Sequence, residues 1–232
     1  MKTRVGVIDY GMGNLHSVSK ALALQGASVV VSDSRSLLKT ADLLVLPGVG
    51  AFGAAMVTLA QKKLDDFVRR WIDEGKPYLG ICLGFQLLFD RSEESRRSRG
   101  LGVIPGTVVR FREKDLKKDQ QIPHMGWNTA VPVKKEERRL FDGIQPSDYF
   151  YFVHSYFPVP SDPSWIMTET PYGSRFCSSV LKGNLFASQF HPEKSGTVGL
   201  RLLKNILKRT NEQTFAERSF GERSFGKRSP KG

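Results

Sequence analysis

Over the first 90 residues, short β-branched runs alternate with helical stripes, and glycine or proline closes most of them; this alternation limits the fold most. Arg4–Asp9 (RVGVID) reads as a buried strand bounded by Gly11. Asn14 precedes LHSVSKALALQG, where Leu15, Val18, Leu22 and Leu24 form a helical stripe ended by Gly26. Ser28–Ser32 (SVVVS) and Asp42–Leu46 (DLLVL) are the next strands, the second stopped by Pro47-Gly48-Val49-Gly50. Residues 54–74 read as one long helix closed by Gly75 and Pro77; Tyr78–Ile81 is a strand, and Gly84–Asp90 begins a helix. Such a rhythm predicts a mainly parallel sheet with helices on both faces, because parallel neighbours need a crossover between them.

Beyond residue 100 the rhythm changes. Gly106–Arg112, Asn128–Val133 and Tyr149–Phe157 are short and β-rich. Ser178–Leu181 and Leu185–Phe190, separated by Lys182-Gly183-Asn184, read as a hairpin. A last helix spans Thr197 to Arg209. The expected organisation is a single domain over 1–209 and a basic, low-complexity tail over 210–232, where ERSFG occurs twice. Without an apolar period, the tail is expected to be disordered and dispensable.

The 40% hydrophobic content supports a packed core rather than global disorder. No apolar run approaches the roughly 20 residues of a membrane span. The opening MKTRVGVIDYGMGN breaks its apolar stretch at Asp9, has no signal-peptide core, and so predicts a cytoplasmic protein. The net charge of +12 invites a nucleic-acid reading. Its distribution argues against one: residues 91–118 hold nine basic and four acidic side chains, a surplus of five, with no nucleic-acid signature, so a solvated basic face is the better reading. Cys82 and Cys177 can neither frame a disulfide scaffold nor alone fill a zinc site.

Three short stretches carry chemistry. In Pro77-Tyr-Leu-Gly80-Ile-Cys82-Leu-Gly84-Phe-Gln86 a buried strand runs into Cys82, with glycines two residues to either side. This is a nucleophile elbow with cysteine in place of serine. Bulky neighbours would clash at the sharp turn, and a helix starting after it aims N–H groups at the sulfur, the setting that makes a thiol reactive. The N–H of Leu83 can also face a developing oxyanion. By itself, G-x-C-x-G fits a structural cysteine equally well. His191, in QFHPEKS directly after a strand, has Glu193 two residues on to orient it, which suits a proton carrier; alone it also reads as a structural histidine. The H-x-E pattern of zinc deaminases requires a later C-x-x-C, and no cysteine follows Cys177. Gly48 and Gly50 let a peptide of the loop turn its N–H toward a ligand, which would complete an oxyanion hole; alone the loop is a plain turn.

Together with IDYGMGNLHSV (8–18), LPGVGAFGAAM (46–56), IPHMGWN (122–128) and YFVHSY (151–156), these stretches resemble the class I (triad) glutamine amidotransferases, in particular the glutaminase subunits of imidazole glycerol phosphate synthase in histidine biosynthesis. The resemblance covers nearly all of the chain up to residue 209. It implies a flavodoxin-like α/β sandwich with a mixed, mostly parallel central sheet and a smaller β-rich excursion in the second half. It implies that Cys82 is the nucleophile, His191 its base and Glu193 the orienting carboxylate. Val49 and Leu83 fall at the oxyanion positions, and Gly50 and Gln86 at positions that hold L-glutamine. Asn14, Met125, Trp127, Tyr151 and Lys194 fall at positions facing a cyclase subunit, a (β/α)₈ barrel with which the chain would form a heterodimer and to which it would pass ammonia. No metal or other cofactor, no nucleic acid and no membrane is implied. His124 and His154 read as structural, and the arginine-rich 91–99 stretch as surface that touches no catalytic position. Two alternatives stay open: a paralogous glutaminase feeding another synthase, such as one amidating a cell-surface sugar, and a non-enzymatic binding module of the same fold.

Overall fold

The computed structural model of the chain describes residues 2–133 and 138–225. The first half keeps the expected succession of strands and adds a short helix, α2, that the sequence reading did not place: β1 (Arg4–Ile8), α1 (Leu15–Leu24), β2 (Ser28–Ser32), α2 (Arg35–Leu38), β3 (Leu43–Gly48), α3 (Phe52–Gln61), α4 (Leu64–Asp73), β4 (Tyr78–Cys82) and α5 (Leu83–Gln86). The second half holds β5 (Phe89–Ser92), β6 (Ile104–Arg110), β7 (His124–Thr129), β8 (Val131–Pro132), β9 (Tyr149–His154), β10 (Tyr156–Pro160), β11 (Ile166–Tyr172), β12 (Ser174–Lys182), β13 (Leu185–Ser188) and α6 (Gly196–Phe225).

An eight-stranded sheet in the order β2-β1-β3-β4-β13-β12-β11-β8 forms the centre. Its strands are parallel from β2 to β13 and antiparallel from there to β8, the mixed flavodoxin-like sandwich that the sequence implies. Every residue of β3 and β4 is buried, as parallel strands covered on both faces must be. One core packs α3 and α4 through Phe52, Leu59, Val68 and Trp71; the other packs α1 and α6 through Val18, Leu22, Leu202 and Leu203. The β12–β13 hairpin forms as the sequence suggests. The β-rich excursion consists of two small sheets, β10-β6-β5 and the antiparallel ribbon β7-β9.

Several boundaries differ from expectation. The helix read over 54–74 is two helices, because Lys63 adopts a left-handed backbone (φ 56°) and α4 restarts with Asp65 and Asp66 in its first turn, where the helix dipole favours acids. The helix read over Gly84–Asp90 is the single turn α5; Phe89 is drawn into β5, parallel to β6. The run Tyr149–Phe157 divides at Ser155 between two different sheets. Leu24, placed in the apolar stripe of α1, is 65% exposed. Helix α6 continues past Arg209 to Phe225, over a stretch without proline and with glycine only at 221. Thr210 is buried, and Asn211 accepts a hydrogen bond from Thr3 Oγ1 at 2.8 Å, so the packed body reaches beyond residue 209. Residues 226–232 of the tail lie outside the described residues.

Candidate active site

Cys82 ends β4 with φ 54° and ψ −106°, a conformation that is costly for a residue carrying a Cβ. The flanking glycines make room for it. A Cβ on Gly84 would collide with the Leu46 carbonyl, and one on Gly80 would press on Gly84 and Ala187. The strand-to-helix turn is thus forced close against β3 and β13. Tyr78 Oη, beneath it, donates to Gly84 O at 3.3 Å. Gly48 meets Tyr10 and Leu83 just as tightly, so its missing side chain serves close packing, while Gly50 is the loop residue with positive φ (98°).

His191 follows β13. Its Nδ1 pairs with Glu193 Oε1 at 2.8 Å, both side chains almost wholly buried. Its Nε2 is buried and makes no hydrogen bond of good geometry, while the Cys82 sulfur lies close enough for its charge to act on the ring. Burial is the largest single influence and would push His191 down. The Cys82 sulfur, when charged, and the Glu193 carboxylate together outweigh it and raise the imidazole to about 10. The site therefore favours an imidazolium beside the Cys82 sulfur. Burial pushes the other thiol, Cys177 on β12, well up.

The backbone of β9 clamps the turn that carries the histidine. His191 N donates to Tyr151 O at 2.9 Å, Tyr151 N donates to Ser195 Oγ at 3.0 Å, and Ser195 Oγ donates to His191 O at 2.6 Å.

Cys82, His191, Leu83, Val49, Gly50 and Gln86 line one cavity of about 380 Å³, closed on its other side by Pro123 and residues 153–156. A larger cleft of about 810 Å³ between α2 and α4 contains none of these residues. Gln86 Nε2 donates to Tyr156 O at 2.9 Å and to Gln189 Oε1 at 3.0 Å, so both of its protons are engaged and only Oε1 remains for a ligand. Among the described residues no three His, Cys, Asp or Glu side chains gather as a metal site needs.

The positions matched to a partner divide. Met125 and Trp127 stand 63% and 55% exposed on β7, Tyr151 lies opposite Trp127 across the ribbon, and Lys194 Nζ sits 5.8 Å from the Tyr151 ring. Asn14, part-exposed, caps α1, accepting from Ser17 N at 3.2 Å.

Two residues of the cavity region escape the sequence reading. Glu94, inside the arginine-rich stretch, lines the cavity and accepts from Phe52 N at 2.8 Å, capping α3. That stretch therefore does touch the site, contrary to expectation. Gln189 donates to Cys82 Sγ at 3.6 Å; its one signal is its place two residues before His191. His154 also faces the cavity, but as a neutral member of a buried pair with His124 at 3.0 Å.

The family described as glutamine amidotransferase class-I matches residues 6–210. The chain is 49% identical over 212 residues to the "Imidazole glycerol phosphate synthase subunit HisH" of Aquifex aeolicus (strain VF5), covering 91% of this chain and 99% of that one. It is 47% identical over 204 residues to the protein of the same name in Methanocaldococcus jannaschii, covering 88% and 98%. The solved structure of PurLQS from Thermotoga maritima shares the fold, with a TM-score of 0.68 at 21% identity over 90% of this chain and 99% of that one. The chain belongs to the class-I glutamine amidotransferases and, among them, to the family of the imidazole glycerol phosphate synthase subunits HisH.

Proposed function

We propose that this glutaminase subunit of imidazole glycerol phosphate synthase hydrolyses the side-chain amide of L-glutamine with Cys82, His191 and Glu193. One observation carries the reading: Cys82 is held in a strained elbow on the wall of the same cavity as a buried His191–Glu193 pair 2.8 Å apart. The Cys82 thiolate attacks the amide carbon, and the carbonyl electrons move onto oxygen. The N–H groups of Leu83 and Val49 are the donors offered to that oxyanion. When the intermediate collapses, the C–N bond breaks and the His191 imidazolium delivers its proton to departing ammonia, leaving a γ-glutamyl thioester. His191, now neutral, takes a proton from water as the water attacks; the thioester breaks and glutamate leaves. Glu193 keeps Nε2 of the imidazole toward the sulfur. Glu94 and Gln86 Oε1 are acceptors suited to the substrate's ammonium group.

The ammonia is consumed by the cyclase subunit, in which imidazole glycerol phosphate and aminoimidazole carboxamide ribonucleotide form. We read that partner as a (β/α)₈ barrel seated on the exposed face of β7–β9, in a heterodimer. The family sets histidine biosynthesis above a synthase that amidates a cell-surface sugar as the destination. Glutamate release and cyclase product are measured with the chain and its cyclase subunit, supplied with glutamine or with ammonium. Cys82→Ala should abolish the glutamine-driven reaction and leave the ammonium-driven one intact. Glutamine-driven turnover that survives this substitution refutes the assignment.

A further inference from the structure

One buried side chain touches the nucleophile without a role in the chemistry above. Gln189, fully buried, places Nε2 3.6 Å from Cys82 Sγ. Which end of a carboxamide faces a neighbour is settled by what its other end meets. Tyr156 O can only accept, so the Gln86 atom 2.9 Å from it is the amino Nε2. The same Nε2 lies 3.0 Å from Gln189, so the Gln189 atom there is the carbonyl Oε1. The amino end of Gln189 is left for the sulfur.

The Tyr156 carbonyl is fixed from the other side as well. Burial pushes His154 down to about 3 and His124 to about 4, so each is neutral at pH 7 and has one N–H. His154 Nδ1 must donate to Tyr156 O, 2.8 Å away, which leaves His154 Nε2 to accept from His124 Nδ1 at 3.0 Å. His124 Nε2 in turn accepts from Asn128 Nδ2 at 3.3 Å. Every link from Asn128 on the ribbon to Cys82 has one allowed polarity.

We propose that Gln189 is a hydrogen-bond donor to the nucleophilic sulfur, held in that orientation by Gln86 and the Tyr156 carbonyl. The inference rests on Cys82 being the nucleophile. A thiolate is a strong acceptor, whereas a thiol or a thioester sulfur is a weak one, so the donor favours the charged sulfur that attacks and that later leaves. The titratable groups beside the sulfur are His191 after β13 and Tyr10 after β1, with Glu94 sharing the cavity and Glu193 acting through His191. Among the side chains facing the sulfur, Gln189 adds a donor that neither carries charge nor takes up the sulfur's proton.

The test is the rate of iodoacetamide alkylation against pH on the intact chain, with adducts placed by mass spectrometry. In the parent, Cys82 should react at neutral pH while Cys177 stays unmodified. Gln189→Met keeps the volume and removes the donor. Its profile should move up by about one pH unit, roughly tenfold slower alkylation at neutral pH. Gln189→Glu keeps an acceptor for Gln86 and places a carboxylate against the sulfur, so its profile should move further in the same direction. Profiles of both variants that overlay the parent, with only a lowered Tm, make Gln189 structural and overturn the proposal. If the Met variant does not fold, an unshifted profile in the Glu variant overturns it equally. A parent in which Cys82 reacts no faster than Cys177 sinks the nucleophile assignment instead, and this proposal with it.

Discussion

At Cys82, the proposed nucleophile, the backbone stores strain. A φ of 54° with ψ −106° costs on the order of 1–3 kcal/mol for a residue with a Cβ and very little for glycine. Both Cys82→Ala and Cys82→Gly should be inactive with glutamine. In urea unfolding the glycine variant should be the more stable by about 1 kcal/mol, since it alone relieves the strain. Equal stability of the two variants would mean that the elbow holds no strain. The buried histidine pair gives a second prediction at this scale. In the unfolded chain each histidine titrates near 6.5, while in the fold burial holds them at about 4 and about 3. Their folded values are lowered, so the stability linked to them is present above pH 6.5 and lost as pH falls toward those values, by up to about 1.4 kcal/mol per unit for each histidine. His154→Gln cannot take up a proton there. It should be less stable than the parent at pH 7, yet lose less stability between pH 7 and pH 5, as read from urea midpoints. Cys82, His191 and Glu193 are legible in the sequence because the glycines flanking the cysteine and the proximity of His191 to Glu193 are local. Glu94 and Gln189 are not, since only the fold brings Glu94 to the cavity and Gln189 to the Cys82 sulfur.

The elements show where local reading succeeds and where it stops. The first four strands of the parallel sheet follow from periodicity alone, because each is a β-branched or apolar run with punctuation at its ends. The division of β9 from β10 at Ser155 is invisible in YFVHSYFPVP, since both strands carry the same aromatic pattern and only their partners, β7 and β6, separate them. That division is functional: β9 ends in His154, β10 begins with the carbonyl that orients Gln86, and Tyr151 in the middle of β9 clamps the turn of His191. Ser195 closes this clamp with one hydroxyl that accepts from Tyr151 N and donates to His191 O. Ser195→Ala leaves the Tyr151 N–H without its acceptor, at about 1–3 kcal/mol, and leaves His191 O with the Lys194 N–H alone. It should lower Tm and reduce kcat with glutamine more than it raises KM, because the cavity walls that bind substrate remain while the base loses its support. A changed KM with an unchanged kcat would show that the clamp does not position His191.

At the scale of the molecule, the β7–β9 ribbon presents a surface that the chain's own fold does not cover. On the β7–β9 ribbon, alternate residues turn to opposite faces. His124, Phe150, Phe152 and His154 pack inward, while Met125, Trp127 and Tyr149 stand exposed on the other face beside Tyr151. A ribbon apolar on both faces has a second face to cover, and exposed Trp, Met and Tyr are the residue types that anchor subunit interfaces. The same ribbon reaches the catalytic turn through Tyr151 and the Cys82 sulfur through the chain from Asn128 to Gln189. A partner seated there would press on elements already hydrogen-bonded to Cys82 and to the turn of His191. This geometry supports a glutaminase that is slow alone and is switched on by the cyclase subunit, as a shift between two populations of the site. Trp127→Ala removes the largest exposed ring. It should weaken binding of the cyclase subunit by more than tenfold, as truncation of an interface anchor does, roughly 2 kcal/mol or more. The alkylation profile of Cys82 in the isolated variant should match that of the isolated parent, because no atom of Trp127 belongs to the buried chain. Glutamate release should fall at limiting cyclase and recover at saturating cyclase. If the variant is fully active at limiting cyclase, the partner sits elsewhere. If activity fails to recover at saturation although binding is complete, Trp127 transmits the activation as well as anchoring the partner.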